Sequence, residues 1–454
     1  MSQVSLKCCL GLLVILEVEA SQVLSIESDE CFDGSCALNV LQLSAGYRKG
    51  DQSLELKSFG EAPTEDLLWA KYQVFLLEYG RQYGVEEQHD RFVNFKKSFR
   101  RAQALSGAGD RGDAFGINSF SDFYPEELPR RGLQTDLAMP LDSLGSSAKE
   151  LNVTDFELPK NPEPLAINWR LTRAVSPVKN QGSCGACWAF VTAEEVESMY
   201  TLWQDGGPPG YSQIFSVQQM ISCSDTADGC GGGNPVDGYT YLLKNKIGLV
   251  QESYWPYEGG YLPSDRCDYK YCTKPCDKNL TDAATFQHII GPIGKVMGGL
   301  WATPLCTPGT ACESQNLESL RRVLVQLGPI AVAVNSQHWL LYAGGVLTYD
   351  ACGGSGWNDL DHAAQLTGYN ASVTSASLPY WIVRNQWSTT WGENGYIYLE
   401  FFKNTCGIAN MATLPLMAGM PRSKDSEEIV MLETPKQNTP FGRMYQEALG
   451  NTDP

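Results

Sequence analysis

Cys187 stands in the run Gln181-Gly182-Ser183-Cys184-Gly185-Ala186-Cys187-Trp188-Ala189-Phe190, where glycines close a loop and a helix-forming stretch begins. A cysteine attacks a carbonyl carbon only as thiolate, and a helix N-terminus and a nearby imidazolium are two ways to stabilise that charge. The chemistry on offer is acyl transfer through a thioester. Four histidines are available to serve it. His89 falls in a helical segment, His288 in an apparent insertion and His338 beside Trp339 in a loop; His362, in Asp361-His362-Ala363-Ala364, alone precedes an apolar β-like run.

Positioning these side chains requires a helix behind the thiol and a sheet under the imidazole. Ala186 to Trp203 has the apolar spacing of a buried helix, with Phe190, Val191 and Val196 inward. Later, Ile330–Val334, Tyr380–Arg384 and Gly395–Leu399 alternate or run apolar as strands do. A helical half followed by a sheet half is an α+β arrangement. Upstream, Thr64-Glu65-Asp66 offers an N-cap, and Leu67, Leu68, Tyr72, Phe75, Leu76 and Tyr79 recur at helical spacing. A second helix is expected from Glu86, with Phe92, Phe95 and Phe99 on one face; a short strand and turn follow at 115–123.

The chain has 454 residues, 43% of them hydrophobic and 19% charged, enough to build two or three packed units. A net charge of -18 argues against nucleic acids and anionic membranes as partners. Fifteen cysteines suit an oxidising compartment. An apolar stretch from Cys8 to Leu16 followed by small residues to Ser21 reads as a signal peptide, and no other run is long enough to span a bilayer. Sequons at Asn152, Asn279 and Asn370 agree with secretion.

The run around Cys187 resembles the Cys-Gly-(Ser/Ala)-Cys-(Trp/Tyr) signature of papain-like cysteine peptidases, here a precursor of the cathepsin type. The resemblance implies a papain-like two-domain fold, a helical left domain and a β-barrel-like right domain with a cleft between, behind a helical inhibitory propeptide. It implies Cys187 as nucleophile, His362 as general base and Asn385, in Arg384-Asn385-Gln386-Trp387-Ser388, as the amide that orients the imidazole while Trp387 shields the bond. Gln181 is placed to donate to the oxyanion beside the Cys187 N–H. Substrate-binding positions implied are Gly232, Gly233, Asn234, Pro235, Ala333, Asp361, Ala363, Trp387 and Met411. Met411, in place of a carboxylate, leads us to expect a hydrophobic P2 preference. No cofactor and no metal are implied.

The chain departs from the pattern in places. His362 lies 175 residues beyond Cys187 and Asn385 lies 198 beyond it, against about 130–150 for the family. An insertion at 268–315 is the expected reason. The family's Asn-Ser-Trp-Gly is altered here to Asn385-Gln386-Trp387-Ser388. By resemblance Cys184 pairs with Cys230, Cys223 with Cys267 and Cys352 with Cys406, which leaves Cys272, Cys276, Cys306 and Cys312 as two bridges or a metal site, bridges being favoured in an oxidising compartment. Cys31 and Cys36 can pair with each other, so Cys187 remains the odd thiol.

Gly116-x-Asn118-x-Phe120-x-Asp122 matches the motif of the family's propeptide; in the helix before it Glu87, Arg91 and Phe95 align, while Ser98, Ala102 and Ser106 depart. The expected organisation is a signal peptide at 1–20, an extension of unknown role at 21–60, an inhibitory propeptide at 61–130, a processing linker at 131–164, the peptidase at 165–416 and a flexible tail at 417–454. Expected partners are protein or peptide substrates and the propeptide itself, with no nucleic acid, no membrane span after signal removal and a monomeric state. Expected locations are an acidic lysosome-like or vacuole-like compartment, or the extracellular space. A single His288 in the insertion, in place of paired histidines, disfavours carboxydipeptidase action and favours an endopeptidase. The competing readings are a catalytically silent binding protein of the same fold and a cysteine-rich metal module at 267–312.

Overall fold

The computed structural model describes residues 63–106, 114–135, 164–204, 212–258, 276–277, 296–306, 312, 315–373, 378–417, 419–420 and 439–450. The signal, the 21–60 extension with Cys31 and Cys36, and the sequons at Asn152 and Asn279 lie outside the described residues. None of the described helices is long and apolar enough to cross a membrane.

Two helices open the described chain: α1 (Glu65–Glu78) and α2 (Val85–Ser106). The Thr64 hydroxyl accepts from the Leu67 N–H at 3.3 Å, and Glu65 and Asp66 oppose the helix dipole in the first turn. Leu68, Tyr72 and Phe75 then meet Phe92, Phe95, Phe99 and Ile117 in a separate small core. The 115–123 segment ties this unit to the rest. Phe115 bridges Tyr342, the Gly116 N–H donates to the Leu341 carbonyl at 2.9 Å, and the Asn118 amide donates to the carbonyls of Leu340 (2.8 Å) and Tyr342 (3.0 Å). Phe120 meets the edge of Trp387, and Asp122, fully buried, accepts from the Tyr83 hydroxyl at 2.8 Å.

In the larger unit β1 (Ala166–Asn168) precedes three helices: α3 (Cys187–Trp203), α4 (Val217–Cys223) and α5 (Pro235–Asn245). After them come β2 (Val296–Trp301), α6 (Leu317–Leu327), β3 (Ile330–Val334), β4 (Val346–Leu347), β5 (His362–Asn370), β6 (Tyr380–Arg384), β7 (Tyr396–Glu400) and β8 (Ala412–Met417). The strands make one mixed sheet in the order β2-β8-β3-β5-β6-β7-β4, with β1 added to β5. Antiparallel pairing sets Val334 opposite His362 and Gln365 opposite Arg384, so the start of β5 and the end of β6 share one edge. α3 is buried along nearly its whole length among α5, β5 and β8.

The structure adds to and corrects these expectations. The 268–315 insertion contains β2, which pairs with β8; Gly298-Gly299 and a register shift at its start hide the strand from an alternation test. Cys223 is bridged to Cys276, their Cα atoms 4.7 Å apart, and not to Cys267, which lies outside the described residues. Cys306 pairs with Cys312, so every insertion cysteine among the described residues is in a bridge, while Cys184–Cys230 and Cys352–Cys406 pair as expected. The tail is not wholly without structure: β8 runs to Met417, and α7 (Pro440–Gly450) buries Phe441, Met444 and Ala448, with Phe441 against Trp169 and its ring stacked on Trp203 at 4.3 Å. Beyond the expected 130/131 boundary, Leu133 bridges Gly233 in a parallel sense.

Candidate active site

Cys187 is the first residue of α3, and its N-cap, Ala186, has no side chain to satisfy the free N–H groups of the first turn. Gly182 supplies the left-handed turn (φ 55°) before it, and the Cys184–Cys230 bridge pins the loop. The thiol is fully buried and is the one unbridged cysteine among the described residues. The N–H groups of Ala363, Gly132 and Trp188 lie against its sulfur. His362 begins β5 one residue before Ala363, whose N–H lies against the thiol, so the strand that carries the imidazole starts at the nucleophile.

The imidazole Nε2 and Asn385 Oδ1 are 2.8 Å apart. Because that oxygen only accepts, Nε2 carries the hydrogen and Nδ1, which has no hydrogen-bond partner, holds the lone pair. Trp387 lies 5.0 Å from the imidazole ring and Trp339 meets it edge-on at 5.9 Å, forming an aromatic wall with Trp391. Trp387 also donates its Nε1–H to Gln181 Oε1 at 3.1 Å. That bond orients the Gln181 amide so that its NH₂ faces the cleft, where it donates to the carbonyls of Arg130 (2.9 Å) and Cys184 (2.8 Å).

The cleft is filled by residues 130–134. Gly132 crosses against Gly185, and a Cβ on it would collide with the Gly185 carbonyl, so this crossing requires glycine. The Gly233 N–H donates to the Gly132 carbonyl at 2.9 Å and the Gln134 N–H to the Gly233 carbonyl at 3.0 Å. Leu133 packs on two apolar groups, one of Cys187, Val191, Ala331 and Ala363, the other containing Val236, Trp301, Ala333, Leu360 and Met411. Ala333 and Met411 thus lie in one of these groups and Ala363 in the other, with Leu133 against both. Asn234 caps α5, its Oδ1 accepting from the Asp237 N–H at 3.1 Å, while its amide donates to the Gln134 carbonyl at 3.4 Å; Pro235 is the first residue of that helix. Gly232, at φ 133°, touches Gly132 and Gln134. Val236 and Trp301 were not legible as pocket residues, because nothing in the spacing joins α5 to β2.

Burial dominates the electrostatics. It pushes the Cys187 thiol up to about 11 and the His362 imidazole down to about 4. Thiol and imidazole are therefore both neutral at pH 7 beneath the Arg130–Gln134 segment.

A charged network behind the site escaped the sequence reading. Glu194, Glu195 and Glu197 are buried in the middle of α3, facing Arg384 and Lys179. Glu194 lies 3.5 Å from the Arg384 guanidinium and accepts from the Gln386 side chain at 3.3 Å. Gln386 in turn donates its N–H to Asn385 Oδ1 (2.9 Å), and its carbonyl accepts from the Gln181 N–H (2.9 Å). One residue thus spaces the imidazole-orienting amide from the oxyanion-side amide. Burial raises Glu194, and raises Glu195, whose nearest donor is the neutral Gln365 amide, well above the ordinary carboxylate range. The available signal was two adjacent carboxylates inside an apolar helical stretch.

Comparison with known proteins agrees with this geometry. A profile described as papain family cysteine protease matches residues 163–416, and one described as cathepsin propeptide inhibitor domain (I29) matches 72–128. The chain is 29% identical over 365 residues to cysteine proteinase 1 of Dictyostelium discoideum, covering 77% of this chain and 92% of that protein. It is 30% identical over 361 residues to cysteine proteinase 1 of Zea mays, covering 75% and 84%. Among solved structures, digestive procathepsin L2 proteinase of the Tenebrio molitor larval midgut is similar with a TM-score of 0.58 and 28% identity, covering 77% of this chain and all (100%) of that one.

Proposed function

Because the chain belongs to the papain family of cysteine proteases and carries a cathepsin propeptide inhibitor domain, it is a cysteine endopeptidase made as a zymogen, and we propose that Cys187, His362, Asn385 and Gln181 perform its chemistry on bonds that follow an apolar P2 residue. His362 Nδ1 takes the thiol proton, and the Cys187 sulfur attacks the scissile carbonyl carbon. The resulting oxyanion is held by the Cys187 N–H and the Gln181 NH₂. As the C–N bond breaks, His362 returns its proton to the leaving amine. Water then attacks the thioester, giving its proton to His362, and the carboxylic acid leaves as the thiol is re-formed. Asn385 keeps the imidazole oriented through both halves without changing charge.

The observation that carries this reading is the course of Arg130 to Leu133. A carbonyl rests on the Gln181 amide, a glycine crosses the nucleophile and a leucine fills the pocket of Val236, Ala333 and Met411. These are the stations a substrate would use, and here the inhibitory segment holds them. The parallel bridge of Leu133 to Gly233 favours a reversed chain direction, which keeps the segment's own bonds from attack. An acidic compartment of the secretory route, or the outside of the cell, suits such a zymogen.

The decisive test uses matured enzyme and an epoxide inactivator of thiol peptidases, with mass mapping of the modified residue. Labelling at Cys187, lost in His362→Ala, and a peptide-library preference for Leu, Phe or Val at P2 are expected. A modified residue other than Cys187, or a basic P2 preference, refutes the reading.

A further inference from the structure

Leu133, Gly132 and Arg131 lie in that order across the thiol, and the structure gives the third a seat of its own. The Arg131 guanidinium donates from Nη1 to Asp361 Oδ2 at 2.9 Å and from Nη2 to the Gln337 carbonyl at 3.4 Å. The carboxylate that receives it is fixed from behind, because Asp361 Oδ1 accepts from the Ser336 N–H at 2.7 Å and the Ser336 hydroxyl at 2.8 Å. Oδ2 is therefore aimed outward by two bonds, an arrangement suited to a planar guanidinium. The two side chains retain only 34% and 25% of their exposure, so this is a recess and not an open surface pair.

We infer that, once the inhibitory segment leaves, Asp361 and the Gln337 carbonyl form a cation-accepting subsite on the leaving-group side of Cys187, so that the mature enzyme favours arginine or lysine immediately after the scissile bond. The inference rests on the proposed reading, in which the Leu133 pocket holds P2. If that pocket lies on the acyl side of the thiol, the recess beyond Gly132 lies on the other side. A side chain's seat belongs to the wall of the cleft, so it survives the reversed direction of the segment that now fills it. Arg101 also donates to the Gln337 carbonyl, at 3.3 Å. Release of the N-terminal segment thus strips two guanidinium groups from one rim and leaves a carboxylate and a carbonyl behind, beside the His362 backbone.

The test is a set of internally quenched peptides with leucine at P2 and arginine, lysine, citrulline or alanine at P1′, cleaved by matured enzyme at low and high salt. Citrulline keeps the shape of arginine and lacks its charge. A roughly five-fold higher kcat/KM for arginine than for citrulline is expected, the size of a partly exposed ion pair, shrinking as salt rises. In Asp361→Asn the arginine-to-citrulline ratio is expected to fall to about one, whatever the variant's absolute activity. Equal rates for arginine and citrulline in the wild type, or an unchanged ratio in Asp361→Asn, overturn the inference. Cleavage of the whole series without discrimination overturns this inference alone, whereas failure of the epoxide to label Cys187 overturns the reading beneath it.

Discussion

The Gln181 side-chain amide donates to the Arg130 carbonyl at 2.9 Å, so the donor suited to a developing oxyanion is already engaged by the chain's own inhibitory segment. Replacing Gln181 by alanine removes that donor from both states. The expected outcome is a loss of about 2.7–4 kcal/mol of barrier stabilisation in the matured enzyme, read as lower kcat with little change in KM. A larger effect on KM than on kcat would count against the role.

Acid should open the zymogen, chiefly through the imidazole. Burial holds His362 at about 4 against an ordinary 6.5, and the inhibitory segment adds to it through Arg131. A depressed value means that the buried state is fully favoured above pH 6.5 and loses stability as pH falls toward 4. Burial alone would raise Glu127, but its hydrogen bonds from Arg91 and the Tyr124 N–H outweigh this and hold it below the usual 4.5, so its contribution is lost only in stronger acid. Asp122, raised by burial, acts the opposite way, since its protonation favours the buried state. The two carboxylates therefore act in opposite senses, Glu127 losing its contribution in strong acid and Asp122 gaining one on protonation. Maturation rate against pH should rise between 6.5 and 4 and should not be delayed by Glu127→Gln.

Thiol reactivity reports the same occlusion. With Cys187 pushed up to about 11, iodoacetamide should modify the precursor slowly at pH 7 and faster as pH rises, while the matured enzyme reacts readily at neutral pH. Equal rates for the two forms would show that the segment does not cover the thiol.

Ser388 stands where the resemblance has glycine, and it adopts φ 71°. A serine held in that left-handed region costs about 1–2 kcal/mol. Ser388→Gly should raise the melting temperature by a few degrees without loss of activity. An unchanged or lower melting temperature would contradict the strain.

Glu194 supplies the carboxylate beside buried Arg384. Glu194→Ala leaves that cation without its partner and should destabilise the fold by about 3–5 kcal/mol. Gln386→Ser, by contrast, keeps the backbone bonds to Asn385 and Gln181 and removes only the side-chain bond to Glu194, so a smaller loss of melting temperature is expected, with a lower kcat if that bond holds the 385–387 backbone in place. If Gln386→Ser turns over substrate like the wild type, the network is structural only.

The nucleophile helix was legible because its signals are local: glycines, then Cys187, then buried residues at helical spacing. β3 and β6 were legible for the same reason, being short apolar runs whose ends match the expected ones residue for residue. What escaped depends on pairings across the fold. The partner of Cys223 is chosen by where the chain between α4 and β2 passes, and cysteine spacing carries no record of that. The glycines in β2 erase its alternation, and the apolar positions of α7 become a buried face only where Trp169 and Trp203 meet them. Glu194 becomes meaningful only when β5 and β6 bring Arg384 and Gln386 beneath α3.

α7 has a consequence for how the ends of the mature chain depend on one another. Phe441 and Tyr445 lie on Trp169, immediately after β1, while Phe441 also stacks on Trp203 at the far end of the helix that begins with Cys187. Any cut upstream of Pro164 therefore leaves a new N-terminus whose first strand leads into an aromatic seat supplied by the opposite terminus. Trimming after Met420 would vacate that seat, and the loosened β1 would expose its junction with β5 to a second round of cleavage. One helix thus braces the base of β1 and the far end of the nucleophile helix together.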